Sequence, residues 1–210
     1  MADLVGMTDA LIKADEAKLV GLVEDALREN GDPREILNTG LIKGMDVVGD
    51  KMENGDMFIP EVLMSAKCMS AALELLKPLL KESEIDGPRK VIIGTVKGDL
   101  HDIGKNLVKM MLGSSGFEVI DLGVDADPET FVRAAKEHKV EIVALSALLT
   151  TTMPMMKQTI DALTESGIRD SIKIIIGGAP VTQSFADEIG ADGFAADAGS
   201  ATKLAKALVN

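Results

Sequence analysis

The chain has 210 residues, 46% of them hydrophobic and 27% charged, with 22 Lys+Arg against 34 Asp+Glu and a formal net charge of −12. That balance excludes a nucleic-acid binder, which needs a basic face to displace counterions from phosphate, and a chain with no Trp, no Tyr and five Phe also lacks base-stacking platforms. No apolar run reaches the roughly 20 residues of a membrane span, the N-terminus MADLVGMTDA has no basic or apolar leader, and Cys68 stands alone, so the expectation is a globular cytoplasmic protein without disulfides or membrane association.

Residues 1–88 carry 9 basic and 18 acidic side chains and read as helices. Leu11, Ile12, Leu19, Leu22, Val23, Ala26 and Leu27 recur at helical spacing and predict one helix over Asp9–Asn30. Gly31-Asp32-Pro33 ends it and opens a second, Pro33–Thr39. A third is predicted over Leu41–Met52 and a fourth from Pro60 to about Leu80, separated by an Asn54-Gly55-Asp56 turn. Short connections favour antiparallel packing, so residues 1–86 are read as a four-helix bundle. The polar segment KESEIDGP, residues 81–88, is the expected linker.

From residue 89 the period changes. β-rich runs lie at Lys90–Val96, Glu118–Leu122, Glu141–Ser146, Lys173–Ile176 and Gly193–Ala195. Helical stretches Gly104–Leu112, Pro128–His138, Thr152–Ser166, Val181–Ile189 and Ala198–Leu208 follow them in turn. Strands alternating with helices imply parallel pairing, and Val/Ile-rich runs suit strands covered on both faces. The fold class is therefore α/β: a helical bundle followed, over 89–210, by a doubly wound, flavodoxin- or Rossmann-like sheet of five parallel strands. Ligands of such sheets bind at the carboxyl ends of the strands.

The loop after the first strand reads Lys97-Gly98-Asp99-Leu100-His101-Asp102-Ile103-Gly104. His101, one of two histidines, is a candidate metal ligand. An imidazole ligand is normally held at its other nitrogen by a carboxylate, and Asp99 stands at the spacing to do so. Gly104 would let the chain turn sharply or let a flat ligand approach. A surface imidazole satisfied by its neighbours is the plain alternative. A zinc site lacks ligands, a Ser146-based hydrolase lacks the nucleophile elbow, a phosphate loop lacks its Gly-Lys-Ser/Thr, and a flavin site lacks aromatics.

The run Asp99-Leu100-His101-Asp102-Ile103-Gly104 resembles the Asp-x-His-x-x-Gly motif of cobalamin-binding domains. Forty-one residues separate Gly104 from Ser146-Ala147-Leu148, and 28 separate Leu148 from Gly177-Gly178, intervals similar to that family's. Residues 47–62, VVGDKMENGDMFIPEV, resemble the helical cap of cobalamin-dependent methionine synthase and of the small corrinoid proteins of methyltransferase systems. A bundle plus a binding domain and nothing more fits the small corrinoid proteins.

The resemblance implies a cobalamin or related cobamide, its nucleotide base off the cobalt, cycling between methylcob(III)alamin and cob(I)alamin. His101 would ligate the metal, Asp99 would hold its second N–H, and Ser146 would continue that relay. Gly98, Leu100, Asp102, Ile103, Gly104 and Leu148 would surround the cofactor. Ser146, Gly177, Gly178 and Ala198 would line the slot for the nucleotide tail, with Asp197 near its end. Thr150 would donate to the tail or corrin, or the run Thr150–Thr152 would cap the next helix; both readings stand. Met52, Phe58 and Ile59 would cover the upper face; methionine synthase carries Phe and Leu where Met52 and Ile59 stand, and bundle core is the plain alternative. The lid would move on a hinge at 81–88.

The implied function is a methyl carrier. A substrate-specific methyltransferase would load it, with Ala147–Met153 resembling the methylamine and quaternary-amine members and with methanol as another donor. A second enzyme would unload it to coenzyme M or tetrahydrofolate, and a reductive activase would serve it. Catalytic residues of its own are not expected. The alternatives are the small subunit of an adenosylcobalamin mutase, against which the bundle argues, and a cobalamin-sensing regulator, which would need a DNA-binding module.

Overall fold

A computed structural model describes residues 2–80 and 89–209. The linker and hinge expected at 81–88 lie outside the described residues. Two compact units are present, one drawn from Met1–Gly87 with Ser114–Gly116, the other from Pro88–Gly113 with Phe117–Asn210.

The first unit is helical. Helices α1 (Leu4–Ile12) and α2 (Glu16–Arg28) replace the single helix expected over Asp9–Asn30. The break has a local cause: Ala14 adopts a left-handed φ of 54°, and the Asp15 carboxylate accepts from the Lys18 N–H at 3.1 Å, starting a new helix. Conversely, the break expected near Gly40 is absent. Helix α3 (Pro33–Glu35) runs through a π-helical segment, Ile36–Ile42, into α4 (Lys43–Glu53), with helical backbone at the junctions. The Thr8 hydroxyl donates to the Gly40 carbonyl at 2.8 Å, where a π turn leaves a carbonyl out of the regular ladder. A Cβ at Gly40 would lie 3.2 Å from Met7 Sδ and one at Gly44 3.1 Å from Leu11 Cδ2, so these two glycines set how closely α1 approaches. Helix α5 (Ile59–Leu76) completes four rods. Met7, Leu11, Leu19, Val23, Leu41, Met45, Val62 and Met69 are fully buried among them, each stabilising the unit by about 1.5–3 kcal/mol against exposure.

The second unit is the five-stranded sheet. Strands β1 (Lys90–Thr95), β2 (Glu118–Asp121), β3 (Ile142–Ser146), β4 (Lys173–Gly177) and β5 (Gly193–Ala195) are all parallel in the order 2-1-3-4-5. The fold class expected from the sequence is the one found. Helices α6 (Ile103–Ser114), α7 (Pro128–His138), α8 (Met153–Glu165), α9 (Gln183–Ile189) and α10 (Ala198–Val209) make the crossovers. Alternate strand residues feed two cores: Ile92, Val143, Ile174 and Ile176 pack with Phe131 and Ile160, while Val91, Ile93, Ile142 and Ile175 pack with Leu112 and Ala205. The order reverses between β1 and β3, so their carboxyl ends flank the crevice at the switch point. There Thr95, Ser146 and Gly177 stand side by side in register. Among the described residues, no helix is long and apolar enough to cross a membrane.

Candidate functional site

The loops leaving β1 and β3 converge on Asp99, which is fully buried. Gly98, with a left-handed φ of 82°, makes the turn that drops Asp99 inward. The Gly98 N–H donates to Asp125 Oδ1 at 2.7 Å, and the Asp125 N–H donates to the Asp99 carbonyl at 3.0 Å. Asp125 itself takes a φ of 53° to do this.

Each carboxylate oxygen of Asp99 then has a separate task. Oδ1 lies 2.7 Å from His101 Nδ1 and accepts from the His101 backbone N–H at 3.1 Å. Oδ2 accepts from the Leu148 N–H at 2.7 Å, the Leu149 N–H at 3.2 Å and the Thr152 hydroxyl at 2.7 Å. Burial pushes the acid up, but the hydrogen bonds from His101, Thr152 and the Leu148 N–H outweigh it and hold Asp99 well below the usual carboxylate range. An ionised Asp99 can only accept, so the imidazole proton sits on Nδ1 and the lone pair on Nε2. The His101 side chain is 51% exposed, and Nε2 has no hydrogen-bond partner among the described residues. The D-x-H reading of a carboxylate-held, outward-facing imidazole therefore has its geometry.

The relay does not pass through Ser146. Thr152 supplies the hydroxyl on Asp99, and the same hydroxyl lies 2.9 Å from the Leu149 carbonyl. Thr152 stands at the N-cap position of α8, but its side chain makes no cap hydrogen bond there. A threonine run ahead of a helix reads as capping, which hid this role in the sequence. Thr150 is exposed.

Around His101 the side chains of Leu100, Ile103, Val124, Leu148 and Leu149 are exposed. All stand on loops or the first helical turn at the carboxyl ends of β1, β2 and β3. Val124 and Leu149 were not expected from the sequence. Gly104 has no left-handed backbone and a Cβ there would meet nothing within 4 Å, so of the two expectations for it, a sharp turn or room for a flat ligand, the sharp turn is not found. Asp102 is exposed and accepts from Asn106 Nδ2 at 3.0 Å.

Beyond β4, Gly178 has a φ of 133°, and a Cβ on it would overlap the Ala147 carbonyl oxygen. Gly177 is tight rather than forbidden, its Cβ falling 3.0 Å from the Ala195 oxygen. Asp197 is occupied as a helix cap: its Oδ1 accepts from the Ser200 N–H at 2.8 Å. Ala198 is buried in the first turn of α10, whereas Ser146 is half-buried. In the helical unit, Phe58 and Ile59 are exposed at the start of α5, so bundle core does not account for them, and Met52 is half-buried. The Phe58 N–H donates to Glu61 Oε2 at 2.8 Å.

Two salt bridges that share Asp121 escaped the sequence reading. The Lys105 side chain is 2% exposed and its Nζ lies 2.6 Å from Asp121 Oδ1, with Lys109 Nζ 2.8 Å from Oδ2. The signal was present: Lys105 falls three and seven residues before Val108 and Leu112, on the buried stripe of α6. Burial raises Asp121, and the two ammonium groups more than offset it, bringing the acid down to about 2. The native acid is thus below its unfolded value, so the stabilisation is full above pH ~4 and is lost as pH falls from about 4 to about 2. Water screens the pair, which limits the loss to about 1 kcal/mol. Urea unfolding at pH 4 and pH 2.5 should show a steeper loss in the wild type than in Asp121→Asn. Equal losses would remove this role from Asp121.

A doubly wound sheet with a carboxylate-held histidine on its first carboxyl-end loop is the arrangement expected of a cobalamin-binding domain. The B12 binding domain family matches residues 89–208, and a second family described as B12 binding domain matches residues 5–77. Dimethylamine corrinoid protein 1 of Methanosarcina acetivorans is 45% identical over 97% of this chain and 95% of its own length. A cobalamin-binding protein from Desulfitobacterium hafniense DCB-2, solved by crystallography, superposes with a TM-score of 0.87 at 35% identity over the whole of both chains. The methanol:cobalamin methyltransferase complex of Methanosarcina barkeri gives a TM-score of 0.83 at 32% identity, over 98% of this chain and 78% of that one. The chain belongs to the family of B12-binding corrinoid proteins.

The residues present fit such a cofactor. One imidazole offers a nitrogen without a partner among the described residues, an ionised buried acid fixes its tautomer, and exposed apolar side chains stand on the same carboxyl-end loops, as a flat macrocycle requires.

Proposed function

We propose that this chain is the methyl carrier of a corrinoid methyltransferase system. The observation that carries the reading is the half-exposed imidazole of His101, held at Nδ1 by a fully buried Asp99 and free at Nε2. When bound, the cobamide supplies a cobalt able to accept and give up a methyl group. His101 Nε2 would ligate the metal. Asp99 would keep the proton on Nδ1 and so leave Nε2 as the nitrogen offered to the metal. The open space at Gly104 would leave room for the macrocycle, and the exposed Leu100, Ile103 and Leu148 would offer it apolar contact. Ser146, Gly177, Gly178 and Thr150 would flank the nucleotide tail; Asp197 and Ala198 would act by fixing the start of α10.

Residues 89–210 would hold the cofactor, and residues 1–86 would cap its upper face through Met52, Phe58 and Ile59. The partners are a substrate-specific methyltransferase of the methylamine class and a second methyltransferase that uses coenzyme M or tetrahydrofolate, with a reductive activase, all in the cytoplasm. The identity to a dimethylamine corrinoid protein supports the donor class.

The test uses protein labelled uniformly with nitrogen-15 and reconstituted with cob(II)alamin. An axial protein imidazole splits the electron-spin signal into a doublet, whereas cobalamin's own base gives a triplet. The wild type should show the doublet, His101→Ala should lose it while the apo protein still folds, because Asp99 keeps the Leu148, Leu149 and Thr152 donors, and a coenzyme M or folate methyltransferase should demethylate the methylated wild type. A triplet in the wild type, or a preference for adenosylcobalamin, would overturn the reading.

A further inference from the structure

We propose that Thr95 is a positioning residue for His101, an inference that rests on His101 being the cobalt ligand. Thr95 ends β1 and is fully buried. Its N–H donates to the Gly123 carbonyl and its carbonyl accepts from the Ala126 N–H, both at 3.0 Å, which fixes its backbone to the loop after β2. Its hydroxyl then reaches across the turn and donates to the His101 carbonyl at 2.8 Å.

The geometry gives this bond a task that Asp99 cannot perform. Asp99 Oδ1 receives both the N–H and Nδ1 of His101. Two bonds converging on one oxygen let the residue pivot about that oxygen, and Nε2 would swing with it. The Thr95 bond restrains the opposite end of the residue, at its carbonyl. The anchor is stiff for two reasons: a β-branched side chain in a strand has restricted χ1, and Thr95 is paired in the sheet beside Ser146. Oriented ligands held by surrounding hydrogen bonds bind metals more tightly than free ones.

Valine matches threonine in shape and lacks the hydroxyl. Removing one neutral hydrogen bond of ordinary strength shifts an equilibrium by roughly three- to tenfold. In the nitrogen-15 protein loaded with cob(II)alamin, added imidazole of natural isotope converts the doublet into a triplet as it displaces His101. Thr95→Val should reach half-conversion at roughly three- to tenfold less imidazole than the wild type, and Thr95→Ser, which restores the hydroxyl, should return to the wild-type midpoint. The apo forms' melting temperatures are read alongside; where Thr95→Val does not fold, Thr95→Ala takes its place. A hydroxyl-free variant with the wild-type midpoint overturns the proposal, and so does a Thr95→Ser protein displaced as easily as Thr95→Val or Thr95→Ala. A wild type without a doublet overturns the ligand assignment instead, which keeps the two failures apart.

Discussion

Asp99→Asn should lose histidine ligation of cobalt more than tenfold although the side chain keeps its size. The amide has one accepting oxygen and must aim its NH2 at one of two groups of donors. The backbone N–H groups of Leu148 and Leu149 are fixed by the chain and cannot turn away. The amide oxygen therefore goes to them, and the NH2 faces His101. Nδ1 must then accept, its proton moves to Nε2, and the nitrogen meant for the metal is blocked. Asp99→Ala is more damaging to the fold. It leaves the Leu148, Leu149 and His101 N–H groups, the Thr152 hydroxyl and Nδ1 without their acceptor, and buried orphan donors cost about 1–3 kcal/mol each, less than additively. A total of about 3–5 kcal/mol is expected in urea unfolding of the apo protein. The discriminating result is the split: Asn chiefly affecting the nitrogen-15 doublet, Ala affecting doublet and stability together. An Asp99→Asn protein with an undiminished doublet would show that the carboxylate does not set the tautomer.

What the sequence disclosed follows from how local each signal is. The Asp99–His101 pair is two residues apart, so spacing alone carries it. Four of the five strands are short runs closed within three residues by Gly or Asp, β3 being the exception, and the alternation of strands with helices leaves little choice of topology. Thr152 lies 53 residues from the acid it serves, in a run whose local chemistry is that of a helix start, and only the folded crossover brings β1 and β3 loops together. Ser146 is what the resemblance points to for the relay, yet it stands in register beside Thr95, and the hydroxyl on the carboxylate belongs to Thr152. In the bundle, periodicity could not see the break at Ala14, because alanine is a strong helix former and its left-handed φ is imposed by the Asp15 cap and the packing of two rods. At Gly40 the error ran the other way. Glycine reads as punctuation, but here it lets α1 close on a helix that continues through a π segment.

Gly178→Ala should be the most damaging single methyl group in the binding unit, and the apo protein should already feel it. Two penalties combine. A φ of 133° lies where only glycine is at ease, which for any other residue costs about 1–3 kcal/mol. The new Cβ would also overlap the Ala147 carbonyl oxygen and fall 2.9 Å from its carbon. The obstacle is backbone, so no side chain can rotate aside; the β3 loop itself must move. Ala147 is tied to β4 through its N–H on the Gly177 carbonyl at 3.2 Å, and it directly precedes Leu148, whose N–H holds Asp99 Oδ2 at 2.7 Å. Relief of the overlap therefore loosens the cradle that orients His101. An expected loss of about 3 kcal/mol or more in urea unfolding of the apo protein should come with a weakened nitrogen-15 doublet once cob(II)alamin is added. Gly177→Ala is the control, with an ordinary φ and a 3.0 Å approach to the Ala195 oxygen that a small shift can relieve; its loss should be less than half as large. If glycine were required at 178 only to make room for the nucleotide tail, the apo variant would unfold like the control and only cobamide affinity would fall. A Gly178→Ala apo protein as stable as Gly177→Ala would establish that simpler role and break the link drawn between the Gly178 turn and the histidine.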